Sequence, residues 1–189
     1  MKYIPLIELA ILAMMISSKA ISLRRKGKNV IAFGNTHRTD FLLLPVALFF
    51  VYAMLSAFFD LPFPVVLRKP FWQGNLMDGL AIFICTASLV WLGISLKAFG
   101  RSFRIGIDEQ TKDQLITTGS FAISRNPVFV AFILFFAGLF LAYLNTITLA
   151  LLIFSTVMIH RQILREEKFL KCHYGKEYDD YCFRVRRYL

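Results

Sequence analysis

An all-α membrane protein with five transmembrane helices is the fold class this sequence predicts. Three observations carry the prediction. The 189 residues are 57% hydrophobic, with 20 phenylalanines and a mean hydropathy of +0.60, which is too apolar for an ordinary soluble domain. Long stretches carry no charged side chain: 41–59 (19 residues), 79–96 (18 residues) and 126–159 (34 residues). The basic residues, finally, gather on alternate connections between these stretches.

About 20 apolar residues cross the roughly 30 Å hydrocarbon core, so 41–59 and 79–96 each read as one span. Residues 3–23 form another, with Lys19 close enough to one end to reach polar surroundings along its aliphatic stem. A secretory signal is the weaker reading there, because only Lys2 precedes the apolar run and no small-residue cleavage site follows it. The long third run decides the topology. As one helix it would extend about 51 Å, far beyond the bilayer core. A hairpin turning at residues 143–146, where Asn145 sits beside Thr146, a residue type that caps helices, resolves the excess. Its arms are short unless the second helix continues beyond the membrane surface, and the polar sequence from His160 onward supplies that continuation. The chain reads as a single membrane domain over 1–189: residues 1–94 hold the first spans, and 95–189 hold the polar chemistry.

With five spans, the 24–40 loop, the 100–126 loop and the C-terminal segment share one side and carry 17 Lys and Arg, against 3 on the other. That bias predicts cytoplasmic loops and C-terminus, and an N-terminus outside. The formal charge of +10 then belongs to topology and anionic lipids, and no nucleic-acid motif accompanies it. Cys85, Cys172 and Cys182 are scattered and do not suggest a disulfide framework. The three histidines lie far apart, with no metal-ligand spacing.

Because the last two spans form a hairpin, "LITTGSFAISRNPVF" (115–129) and "HRQILREEKFL" (160–170) emerge side by side. Gly119 allows a tight turn, Pro127 suits the first turn of a helix, and Asn126 before it can act as an N-cap. In the second segment, helical spacing puts His160, Ile163, Leu164, Glu167 and Lys171 on one stripe and turns Glu166 about 100° away. A solvated, salt-bridged helix extension accounts for Arg165 and Lys168 but less well for Glu167 below His160.

A carboxylate can take ribose hydroxyls or an ammonium group, while a helix N-terminus beside Arg125 favours a carboxylate. Phe121 and Phe129 offer aromatic surface. S-adenosylmethionine carries all of these groups. Phosphate-rich cofactors suit the sequence less, since no GxG or GxxxxGK[ST] is present.

These blocks resemble the isoprenylcysteine carboxyl methyltransferases and related integral-membrane methyltransferases. That family carries L-V-T-S-G-x-Y, then R-H-P-x-Y-x-G, an apolar hairpin, E-E-x-x-L, and F-G-x-E-Y-x-x-Y. Here they read LITTGSF (115–121), RNPVF (125–129), EEKFL (166–170) and YGKEYDDY (174–181). The resemblance covers roughly residues 95–189. It implies that S-adenosylmethionine is held by Asp113, Gln114, Leu115 and Ile116 with Phe121, by Asn126, Pro127, Val128 and Phe129, and by Glu166 and Glu167; S-adenosylhomocysteine would be the product. Asn126, Phe129 and Ala131 stand where the family has His, Tyr and Gly. Asn cannot titrate near neutral pH, so no acid–base role rests on position 126.

The expected activity is methyl transfer to a lipophilic acceptor reached from the bilayer, a prenylcysteine-like carboxylate first and a phospholipid amine as the alternative. A carboxylate needs no base. An amine must lose a proton, and His160, Glu166 and Glu167 are the candidates to take it. A sterol-type membrane reductase and a non-catalytic membrane scaffold are the rival readings. No metal and no nucleic acid are expected.

Overall fold

The computed structural model describes residues 4–25, 49, 52, 55, 56, 61, 62, 64–72, 74–99 and 115–189. Helices account for nearly all of them: α1 (Ile4–Arg25), the single turn α2 (Val65–Arg68), α3 (Asn75–Phe99), α4 (Pro127–Tyr143), α5 (Thr146–Tyr174) and α6 (Lys176–Arg184). A 3₁₀ turn at Gly119–Ala122 precedes α4. The expected span 41–59 and the candidate ligands Asp113 and Gln114 fall outside the described residues, apart from four positions in 41–59.

α1, α3 and α5 are long and apolar enough to cross a membrane, and α4, with 17 residues, is shorter. The turn between α4 and α5 lies where the sequence predicts it, but its capping residue is Asn145 and not Thr146. Leu144 takes a left-handed conformation with φ 35°, and its N–H donates to the Phe140 carbonyl at 2.6 Å. The Asn145 side chain accepts from Thr148 N–H at 2.9 Å, and the Thr148 hydroxyl lies 3.3 Å from Asn145 N–H, a reciprocal capping box. α5 then runs 29 residues without a break, so its last turns project beyond the apolar stretch.

A seam of small and polar side chains joins α3 to α4. The Trp91 indole N–H donates to the Pro127 carbonyl at 3.0 Å, the Ser88 hydroxyl to Ala131 at 2.9 Å, and the Cys85 thiol to Phe135 at 3.7 Å. As α3 is followed backward α4 runs forward, so the two are antiparallel. A helical carbonyl has a second lone pair, and these donors use it without breaking the helix. Gly138 closes the seam: a Cβ there would lie 2.4 Å from Cys85 Sγ and 3.3 Å from the Ala81 carbonyl. Leu89, Leu92, Leu96, Ala131, Phe135 and Leu139 fill the core beside it.

α1 lies along α3 through two polar contacts. The Thr86 hydroxyl donates to Glu8 Oε1 at 2.8 Å, and Lys19 Nζ donates to the Leu96 carbonyl at 2.8 Å. Lys19 thus does not simply reach for solvent; it satisfies an orphan carbonyl in the last turn of α3, where a cation is favoured. Both contacts advance in the same sense, so α1 and α3 are parallel. Arg25 and Phe99 share one end of the molecule, with the start of α4 and the projecting part of α5. Ile4, Asn75 and the Leu144–Asn145 turn lie toward the other.

Candidate functional site

Four segments meet where α3 ends, α4 begins and α5 projects. Gly119, at φ 67°, opens the 3₁₀ turn with its Cα close enough to Ala98 that a Cβ would stand 3.1 Å from the alanine methyl. That turn seats Phe121 edge-on against Phe99, centroids 5.0 Å apart. α6 folds back beneath it and buries Tyr178 and Tyr181, whose i, i+3 spacing puts both on one face. The Tyr181 hydroxyl donates to the Phe121 carbonyl at 2.6 Å.

The residues after α6 then return along 124–126. Ser124 and Arg186 form a parallel bridge, and Arg125 N–H donates to the Arg186 carbonyl at 2.9 Å. This brings Arg187 onto Glu167. Arg187 Nε lies 2.9 Å and Nη2 2.8 Å from Glu167 Oε2. Glu167 Oε1 takes Asn126 Nδ2 at 3.2 Å and stands 3.5 Å from Arg125 Nη2. The carboxylate, 8% exposed, therefore meets four donors from three residues, which fills its usual lone-pair sites. Two guanidiniums around one carboxylate leave a surplus positive charge. The pairing with Glu167 holds Arg187 even further above its ordinary range.

Asn126 holds the N-cap position and Pro127 the first turn, as the sequence predicts, but the Asn126 side chain makes no cap bond. It donates instead to Glu167 and, at 3.2 Å, to the Arg187 carbonyl. Arg125 Nη1 contacts the Cys182 sulfur. His160 does not meet Glu167, two turns further along α5; its Nδ1 lies 2.5 Å from the Tyr188 hydroxyl. Glu166, on a different face, accepts from Gln162 at 2.9 Å. Of the stripe expected on this helix, Ile163 and Glu167 are buried while Leu164 and Lys171 are exposed. Leu115, Ile116, Val128 and Phe129 are half-buried at the same end.

The structure thus brings together Phe121, Arg125, Asn126, Pro127 and Glu167, and it adds Tyr181 of the YGKEYDDY block, with Cys182, Arg187 and Tyr188, none of which sequence reasoning placed in the site. The Tyr178–Tyr181 spacing, part of that block, puts both phenols on the buried face of α6. Arg187 carried no local signal, being one of many basic residues near the end of the chain. Burial pushes the Tyr181 phenol up to about 12 and raises that of Tyr178, with the Glu167 charge adding to the latter. Among the described residues no group of three or more His, Cys, Asp or Glu is arranged to hold a metal ion.

Donors remain for a ligand. Ser120 Oγ and Arg125 Nε are buried with no hydrogen-bond partner among the described residues. Buried donors of this kind fit the carboxylate or hydroxyls of a polar cofactor such as S-adenosylmethionine.

No curated protein and no solved structure matches the chain. A family model does: the one described as phospholipid methyltransferase, over residues 70–177, which runs from before α3 into α6 and stops short of Arg187. That match spans more than half of the sequence, and the chain belongs to the phospholipid methyltransferase family, among the integral-membrane methyltransferases.

Proposed function

We propose that this protein transfers a methyl group from S-adenosylmethionine to the polar end of a lipid held in the bilayer. One observation carries the reading: within a chain of a membrane methyltransferase family, Arg125, Asn126, Glu167 and Arg187 converge at the end where α5 leaves the apolar layer. When bound, the cofactor supplies an activated methyl group. The residues that would hold it are Leu115, Ile116, Gly119 and Phe121, then Arg125 to Phe129; Asp113 and Gln114 remain expected ligands.

Glu167, with its lone pairs already engaged, serves as the hub that fixes Asn126 and both arginines. The base for an amine acceptor is then His160, working with Tyr188, or Glu166. Catalysis is chiefly alignment in a water-poor mouth, with reacting groups brought together from two phases.

Two acceptor classes each have an observation behind them. The family's description favours a phospholipid amine. The surplus positive charge around Glu167 favours an anion, either a prenylcysteine-like carboxylate or the phosphate beside that amine. Methyl-labelled S-adenosylmethionine, given to the protein in bilayers with phosphatidylethanolamine or with thioether carboxylates of increasing chain length, separates them. Label in the phospholipid supports the amine; label in the long-chain carboxylates supports the carboxylate. Label in neither, with no binding of S-adenosylhomocysteine, overturns the proposal.

The proposed topology has five spans with the mouth in the cytoplasm. It is supported by the parallel course of α1 and α3, which requires the chain to return between Arg25 and Asn75, and by the 17 to 3 bias of basic residues.

A further inference from the structure

At the end of the molecule remote from the mouth, residues 64–76 carry large apolar side chains that stay exposed among the described residues. Val66 is 82% exposed, Leu76 71%, Trp72 68% and Phe71 59%. Water-soluble surfaces seldom gather so many in so short a stretch. The cluster is held in place: Leu67 N–H closes the α2 turn on the Pro64 carbonyl at 3.1 Å, and Phe71 N–H donates to the Leu144 carbonyl at 2.7 Å. That second bond fixes the cluster at the level of the α4–α5 turn. Arg68 and Lys69 interrupt the apolar residues, and no acidic residue occurs between Leu61 and Met77. Aromatic rings beside cations are the composition of a headgroup boundary, with ring bodies in the acyl region and charges among the phosphates.

We propose that Val66, Phe71, Trp72 and Leu76 form an interfacial wedge seated in the far leaflet of the bilayer the protein crosses, with Lys69 selecting anionic phospholipid headgroups. The wedge meets a requirement of the hairpin. The 17 residues of α4 extend only about 25 Å, less than the roughly 30 Å core. A wedge tied to the hairpin turn draws the far headgroups toward that turn, so a short helix reaches polar surroundings without tilting or burying its end. This inference rests on the membrane crossing and not on the methyl-transfer reading.

The two tryptophans allow a direct test. In the Trp91→Phe protein Trp72 is the sole reporter, and the native protein minus Trp72→Phe gives the same signal should loss of the Trp91 bond disturb the seam. Reconstituted in bilayers, Trp72 should be quenched severalfold more by lipids brominated near the headgroup than by lipids brominated near the chain end. Aqueous iodide should quench it little. In mixed bilayers, bromine on the anionic component should quench more than bromine on the zwitterionic one, and Lys69→Gln should lower that preference by roughly fivefold. Quenching by iodide without quenching by lipid would put the segment in water and overturn the wedge. Silence to both would mean a protein covering, a second copy included, and would equally overturn it. Lipid quenching with no headgroup preference would remove the anionic selectivity.

Discussion

Glu167 gathers four donors, and its value lies in what it holds. Replacing it by Gln removes the charge that both arginines face and leaves them in a half-buried site. Loss of one partner of a desolvated, hydrogen-bonded charge pair costs roughly 2–5 kcal/mol. Lys168, next in sequence and exposed, has no such environment, and a surface change of that kind is worth less than about 0.5 kcal/mol. Calorimetric titration with S-adenosylhomocysteine should therefore show a large loss of affinity for Glu167→Gln and almost none for Lys168→Gln. Equal, small losses in folded protein would remove the hub. Arg187→Gln should act through the same network, so its loss and that of Glu167→Gln should combine to less than their sum. That Glu167 stands apart from the solvated charges of α5 was legible from its place below an apolar helix. Its partner was not: a tail arginine resembles any anchoring charge until the backbone pairing at Ser124 and Arg186 carries it back across about 60 residues of chain.

The hairpin was likewise legible, because a 34-residue apolar run is too long for one crossing and Asn145 marks the break. The α3–α4 seam was not, since Ala131, Gly138, Cys85 and Ser88 show no periodicity distinct from any other apolar helix. At Gly138 the seam nonetheless leaves no room for a methyl group. Gly138→Ala should destabilise the protein by about 1–3 kcal/mol through overpacking, read as a lowered thermal midpoint in detergent. Cys85→Ala should relieve part of that loss, and not all, because the Cys85 backbone nitrogen also lies 3.1 Å from the added methyl. A midpoint unchanged by Gly138→Ala would contradict the close approach. Asn145→Ala removes the capping box and should cost about 1 kcal/mol by the same measurement.

For the molecule as a whole, an impermeant thiol reagent reads the proposed topology. Cysteine placed at Ile123, Thr146 or Lys176, all exposed, in protein lacking native cysteines, should label from one side at Ile123 and Lys176 and from the other at Thr146. Common labelling of all three would break the hairpin. The buried phenols give a global pH signature. Unfolded tyrosine ionises near about 10, whereas burial pushes Tyr181 up to about 12 and raises Tyr178 and Tyr188. The unfolded chain thus releases these protons first, and stability present below about pH 10 is lost as pH rises toward 12. Thermal midpoints should fall steeply over that interval, and Tyr181→Phe, though less stable throughout, should show a shallower fall.

The two-residue turn at Leu144–Asn145 also constrains how the chain is put into its membrane. A helix halted alone in the insertion machinery would leave its successor to be threaded separately, and two residues give no slack for that. α4 and α5 must enter together, as one folded pair. On the proposed topology, the charged end of α5, with Arg161, Arg165 and Lys168, then never crosses hydrocarbon.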